Sequence, residues 1–281
     1  MALITTATQW LRASRLNLIL GLVILASLTA VALLAPWIAP QNPYQIDYKA
    51  IAQGASGNHV LGTDSIGRDL LSRLMIGSRV SLLVGFLAVA VATAIGVPVG
   101  LIIGYAGGWI DEIVSRVIDI VLAFPTFLLA IAIVAILGPG TRNVIIALGL
   151  TGWKEFCRVT RAEVIAKKEL DYVEAARASG IRSLRLLFVH LMPNIVPPLI
   201  VLATLRVGTA IVAEAGLSFL GLGVQPPDAS WGTILSDGRS YLYNAAHIMT
   251  FAGLAIMVTV LAINLVGDHL RDQMDVSRAN A

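Results

Sequence analysis

Arg206 and Glu214 stand eight residues apart in the apolar run LRVGTAIVAEAGLSFLGLG, a setting in which a charge needs a reason. A charge near the centre of a bilayer costs about 2.5 to 3.5 kcal/mol on insertion scales, so neither side chain is expected to face lipid. On a helix the two lie on roughly one side. Two roles are open. Each charge can be satisfied inside the bundle, Arg206 pairing for instance with Asp119. Alternatively, both border a water-filled translocation path in which Arg206 meets a substrate carboxylate.

A second constellation is YVEAARASGIRSLRLLFVHLMPN, residues 172–194, which breaks the apolar pattern. Glu169, Asp171 and Glu174 fall early in a helix, where the positive end of the dipole favours acids. Tyr172, Val173, Ala176 and Gly180 share one face, and Gly180 can take the left-handed conformation that stops a helix. Ser183 is a candidate cap for a second helix with a stripe of Leu184, Leu187, Phe188 and Leu191, before Pro193 opens the next apolar run. The expected product is two short helices around a glycine corner, with small side chains that permit close docking by another protein. Packing of the same hairpin on its own bundle is the competing reading.

Other chemistry is missing. No G-x-x-x-x-G-K-[ST] loop is present to cradle a nucleotide, and no H-E-x-x-H occurs. His59, His190, His247 and His269 are scattered, and GLSFLG lacks the second half of a nucleophile elbow. The single cysteine, Cys157, excludes an intrachain disulfide and reads as a small buried residue.

The elements that must position these residues are membrane helices. Of 281 residues, 57% are hydrophobic and only 13% charged, and the apolar residues lie in uninterrupted blocks. Charge-free runs cover 16–46, 80–110, 120–141 and 240–267, each long enough for the roughly 20 residues that span a bilayer. Two weaker spans are 143–164, carrying Lys154, Glu155, Arg158 and Arg161, and 193–222, carrying Arg206 and Glu214. The first run follows Arg12 and Arg15 but is too long for a leader peptide, and a retained anchor is expected. A net charge of +3 does not imply nucleic acid. With six spans, one side holds Arg12, Arg15, Arg116, the eight Lys/Arg from Lys154 to Arg185, Arg271 and Arg278; the other holds six. The positive-inside rule then makes both termini and the 172–194 stretch cytoplasmic.

Ala88, Ala92, Gly96, Gly100 and Gly104 recur every four residues and form a ridge suited to close helix packing or to lining a path. Pro98 and Pro125 lie within spans, where neighbours can satisfy the freed carbonyls. The stretch LGTDSIGRDLLSRLMIGSRVSL offers Thr63 or Asp64 as a cap and predicts a helix along the outer interface before the chain dives at Val80. GVQPPDASWGTILSDGRSYLYNAAH is rich in turn formers and predicts an ordered outer loop.

The spacing of Glu174, Ala175 and Ala176, then Gly180, then Pro193 resembles the cytoplasmic signature of permease subunits of binding-protein-dependent ATP-binding cassette importers. His190 and Met192 stand where that signature usually has isoleucine and leucine. LGTDSIGRDLLSRLMIGSRVSL, AFPTFLLAIAIVAILGPG, AEAGLSFLGLGVQPPDASWGTIL and NLVGDHLRDQMD are similar to the dipeptide, oligopeptide and nickel branch.

That resemblance implies an all-α polytopic protein of about six transmembrane helices with a cytoplasmic coupling hairpin. The expected divisions are a cytoplasmic N-terminus at 1–15, a first span at 16–38, and an outer loop with its interfacial helix at 39–79. A five-helix core at 80–267 follows, containing the coupling loop at about 165–192, and then a tail at 268–281. It implies that Glu174, Ala175, Ala176, Arg177, Ser179 and Gly180 couple to an ATPase. The implied partners are a homologous second permease, two ATPases that bind ATP and Mg, an extracytoplasmic substrate-binding protein and the lipid of a prokaryotic inner membrane. This chain itself would bind no cofactor or metal and catalyse no reaction. Di- or oligopeptides are the first expectation for the substrate, with nickel or another small solute as the alternative. A secondary transporter or channel shares the hydropathy but needs no ATPase dock; a membrane-embedded enzyme needs a nucleophile, metal set or carboxylate pair.

Overall fold

The computed structural model describes the backbone of residues 2–279 and the side chains of residues 16–274. The side chains of Arg12, Arg15 and Arg278, and those of the whole 1–15 segment, lie outside the described ones. Helices α1 (Ala2–Ile38), α2 (Leu70–Ala106), α3 (Gly108–Ala123), α4 (Thr126–Leu137) and α5 (Thr141–Lys167) lead to the short α6 (Asp171–Ala178) and α7 (Ser183–Arg185). A π-helical segment, Leu186–Leu191, then runs into α8 (Met192–Phe219), followed by α9 (Trp231–Gly238) and α10 (His247–Ala279).

Among the described residues, four stretches are long and apolar enough to cross a membrane: Leu16–Ile38, Leu70–Ala106, Ser183–Phe219 and His247–Met274. Helices α3 and α4 form a further span if taken together, but they meet at 91° across Phe124 and Pro125. The 120–141 run is therefore broken, because Pro125 lacks the N–H a continuous helix needs and holds Phe124 extended. The remaining pass, α5, is too charged to qualify by hydropathy, yet its 27 residues reach about 40 Å at 1.5 Å per residue.

The small-residue ridge explains how α5 is held. Gly96 lies against the Trp153 carbonyl and Phe156, Gly100 against the Cys157 carbonyl and Thr160, and Gly104 against Arg161 and Val164. A Cβ on Gly100 would come within 2.5 Å of the Cys157 oxygen, so the two backbones approach as only glycine allows. These contacts make α2 and α5 parallel. Cys157 is buried among them, as expected.

Following the passes, the 172–194 hairpin lies where α2 and α5 end, and the 39–69 loop, α9 and the start of α10 gather at the opposite end. Helix α10 returns antiparallel to α1, with Gly21 against Ala262 and Leu265.

No separate interfacial helix precedes α2 at the opposite end. Helix α2 begins at Leu70 and passes Val80 and Pro98 without interruption, capped by Asp69, whose carboxylate accepts from the Ser72 N–H at 2.8 Å. Thr63 and Asp64 are buried in the loop instead. The Asp64 carboxylate accepts the backbone N–H groups of Ile66 and Arg68, and Gly67 sits at φ +84°, so the chain turns there rather than coiling. Asp64 also receives Arg68 Nε at 2.6 Å and lies 3.0 Å from Arg73 Nε. Asp237 of α9 pairs with both arginines, at 3.0 and 3.3 Å. Burial raises the Asp237 carboxyl above its ordinary range despite the pull of Arg73 and Arg68. This knot joins the loop before α2 to α9, whose Ser230 and Thr233 form a reciprocal capping box.

Candidate functional site

The hairpin is built from α6 outward. Its Gly180 adopts φ +75°, donates to the Arg177 carbonyl at 3.0 Å, and lets Ile181 reach back to the Ala176 carbonyl at 3.3 Å. This is a Schellman closure, in which the left-handed residue satisfies carbonyls the helix end would otherwise expose. Val173 and Ala176 turn inward and join a core cluster with Leu101 of α2, Val164 of α5 and Ile195 of α8. Glu174, Ala175, Arg177, Ser179 and Gly180 are exposed, so Ala176 is the one proposed coupling residue that packs rather than presents. Tyr172 and Gly180 also face outward, away from Val173 and Ala176.

The second half of the hairpin departs from expectation. Ser183 does not cap it; the N-terminal flank is Arg182, without a side-chain hydrogen bond. No break precedes α8 either, since α7, the π segment and α8 form one 37-residue helix. The buried residues are Leu186, Leu187 and Leu191, while Leu184 and Phe188 are 70% and 55% exposed. A π turn pairs residues five apart, so Leu186 and Leu191 share the inner face. The wide turn also spares Pro193 a clash with the carbonyl four residues back. The hairpin end thus shows a face of small residues flanked by Tyr172, Leu184, Phe188 and Val189.

The two charges of the fifth apolar run part company. Glu214 is completely buried and accepts hydrogen bonds from Ser81 of α2 at 3.0 Å and Ser218 at 2.6 Å. Ser81 in turn accepts the Trp231 N–H of α9, so Glu214 ties α8 to α2 and to the loop end. Arg206 instead lines a space of about 220 Å³ between α2, α4, α5 and α8. Its guanidinium lies 3.0 Å from Glu155, not beside Asp119, whose nearest cation is Arg158 at 3.9 Å. Thr126, Thr151 and Thr209 add hydroxyls to the wall, and Ala88 and Ala92 form part of its apolar surface. Within the small-residue ridge the glycines pack against α5 and the alanines border this cavity. Glu155 was readable only as a charge in need of a partner, because the α5 to α8 contact that supplies Arg206 has no local signal. Among the described residues, no group of three His, Cys, Asp or Glu is arranged to hold a metal ion.

Comparison with known proteins agrees with this architecture. Residues 96–277 match the family described as binding-protein-dependent transport system inner membrane component. Residues 10–55 match the N-terminal TM domain of oligopeptide transport permease C. The chain is 45% identical over 257 residues to the dipeptide transport system permease protein DppC of Alkalihalophilus pseudofirmus, covering 92% of this chain and 84% of the relative. It is 44% identical over 267 residues to the di/tripeptide permease DppC of Pseudomonas aeruginosa, covering 93% and 88%. It is also 44% identical over 249 residues to the glutathione transport system permease protein GsiD of Escherichia coli O6:K15:H31, covering 88% and 82%. In fold it is similar to a chain of the inward-facing MetNI methionine ABC transporter, with TM-score 0.58 and 23% identity over 71% of this chain and 95% of that one. With family models over both ends of its sequence and full-length relatives near 45% identity, this chain belongs to the inner membrane permease components of binding-protein-dependent transport systems.

Proposed function

We propose that this chain is one permease subunit of an ATP-driven importer that moves di- or oligopeptides delivered by a substrate-binding protein. The observation that carries the coupling role is the hairpin: the Glu174-Ala175-Ala176 stretch, the Gly180 corner and the exposed small-residue face project where the core passes end. Such a face admits a partner's side chains closely. In an ATP-driven importer, a subunit with no nucleotide loop of its own receives its driving force through such a contact. Glu174, Ala175, Arg177, Ser179 and Gly180 form the contact, and Ala176 holds the corner on the bundle. Two ATPases, carrying ATP and Mg, dock on this hairpin and on that of a homologous second permease.

The hairpin end is cytoplasmic, as the excess of Lys and Arg in 154–185 supports, and the loop end with α9 meets the binding protein. Peptides are the substrate class because relatives about 45% identical along most of the chain are named for dipeptides, tripeptides and glutathione.

Affinity purification of the tagged chain from its native membrane tests the assembly. A second permease and ATPases are expected to co-purify, and their absence would return the chain to a secondary transporter. Mass spectrometry of ligands released from the co-purified binding protein tests the substrate, with peptides expected; nickel or a non-peptide solute would replace that assignment.

A further inference from the structure

We infer that the Arg206–Glu155 pair forms an exchangeable docking site on the translocation path for the carboxylate end of a peptide: Arg206 leaves Glu155 to receive that carboxylate. The inference rests on the peptide-permease reading and adds to it a place where this subunit itself recognises the cargo.

Two other acidic side chains of the helical core are hydrogen-bonded to partners on another helix. Asp111 is held by Arg161 through two hydrogen bonds of 2.5 and 2.7 Å. Glu214 is fully buried beneath two serine hydroxyls. The Arg206–Glu155 pair is held less tightly than the first and is more exposed than the second. It makes a single 3.0 Å ion contact, and its side chains are 37% and 21% exposed. Both open on the same cavity. A guanidinium offers five N–H donors and a carboxylate about four acceptor sites, so most of this capacity is unused by the protein.

Net charge favours a carboxylate at the site. Lys154 is buried behind the cavity wall, where its ammonium donates to the Thr126 hydroxyl at 3.1 Å and has no carboxylate within 4.0 Å among the described residues. Two cations and one anion therefore act on the space, and beside a largely apolar wall their field is felt more strongly than in bulk water. At about 220 Å³ the cavity is smaller than the roughly 300 to 1,000 Å³ of a site that encloses a drug-sized ligand. It suits one end of a peptide, the rest lying in the space shared with the second permease. When the peptide leaves, Arg206 and Glu155 pair again, so neither charge is stranded in the empty path.

The test uses the whole importer in proteoliposomes with saturating binding protein, and compares tri-alanine with its C-terminal amide. Arg206→Gln is expected to assemble normally and to lower tri-alanine uptake about tenfold, the scale of a lost charge-assisted hydrogen bond, with the amide changed less than twofold. The double variant Arg206→Gln/Glu155→Gln removes both charges without leaving either unpaired, and is expected to keep the tri-alanine defect. Recovery of uptake in the double variant, equal losses for both peptides, or unchanged uptake in Arg206→Gln would overturn the site and leave the permease reading intact. Failure of the unmodified, ATPase-loaded complex to take up tri-alanine would overturn the peptide reading, and the terminus site with it.

Discussion

Glu214 and Arg206 show how far one residue's neighbourhood departs from its spacing. Eight residues turn an α-helix past two full turns by about 80°, enough to send one side chain toward Ser81 and the other toward Glu155. At the hairpin, Glu174 is exposed and makes no ion pair within 4.0 Å among the described residues, so replacing it leaves the fold's own contacts untouched. Glu174→Arg is expected to insert and assemble but to lose at least about tenfold of substrate-stimulated ATP hydrolysis, since the docking face changes sign. Gly180→Pro acts through shape: proline holds φ near −65° and has no N–H, where Gly180 needs +75° and donates to Arg177. It should abolish stimulated hydrolysis while the isolated subunit still inserts. Normal transport in both variants would return the hairpin to a packing role.

Among elements, the α2 to α5 contact places the charged pass. Because Gly96, Gly100 and Gly104 bring the two backbones together, α5 can carry Lys154, Glu155 and Arg161 toward partners on α4, α8 and α3 instead of lipid. Gly100→Leu forces a side chain onto the Cys157 carbonyl and Thr160, an overpacking that costs about 1 to 3 kcal/mol or more. A lower melting temperature in detergent and less folded protein are expected. Gly253→Ala in α10 is the contrasting change, since a Cβ there meets nothing within 4 Å; helix propensity predicts a gain of about 0.5 to 1 kcal/mol. Equal stability of the two variants would mean that the ridge does not hold α2 against α5.

For the whole molecule, the alternation of passes puts the hairpin and the 220–246 segment at opposite ends. Ser230 is buried in its capping box and is a poor reporter, whereas Tyr243 is 98% exposed. In a Cys157→Ser background, Ser183→Cys should react with a membrane-impermeant thiol reagent only from the cytoplasmic side, and Tyr243→Cys only from the outside. Labelling of both from one side would break the arrangement of passes. The same outer segment should cross-link to the binding protein from position 243, and consistent failure there and at neighbouring exposed positions would count against that docking end.

Hydropathy, charge placement and the EAA spacing determined by themselves that the chain is a helical membrane protein with a hairpin at one end, because burial in lipid requires long apolar runs and internally bonded backbone. Gly180 was legible as a corner for a similar reason: the bonds that close α6 are local. Much of what needed tertiary structure involves a partner distant in sequence. Asp64 reads as a helix cap until Arg73 and Asp237 meet at the other end of the chain, and Leu184 reads as core until the π turn shifts the inner face to Leu186 and Leu191. Arg206 could not be joined to Glu155 by spacing, since the two are 51 positions apart on helices of different passes. A buried charge announces that it needs a partner; only the packing of helices decides which one it finds.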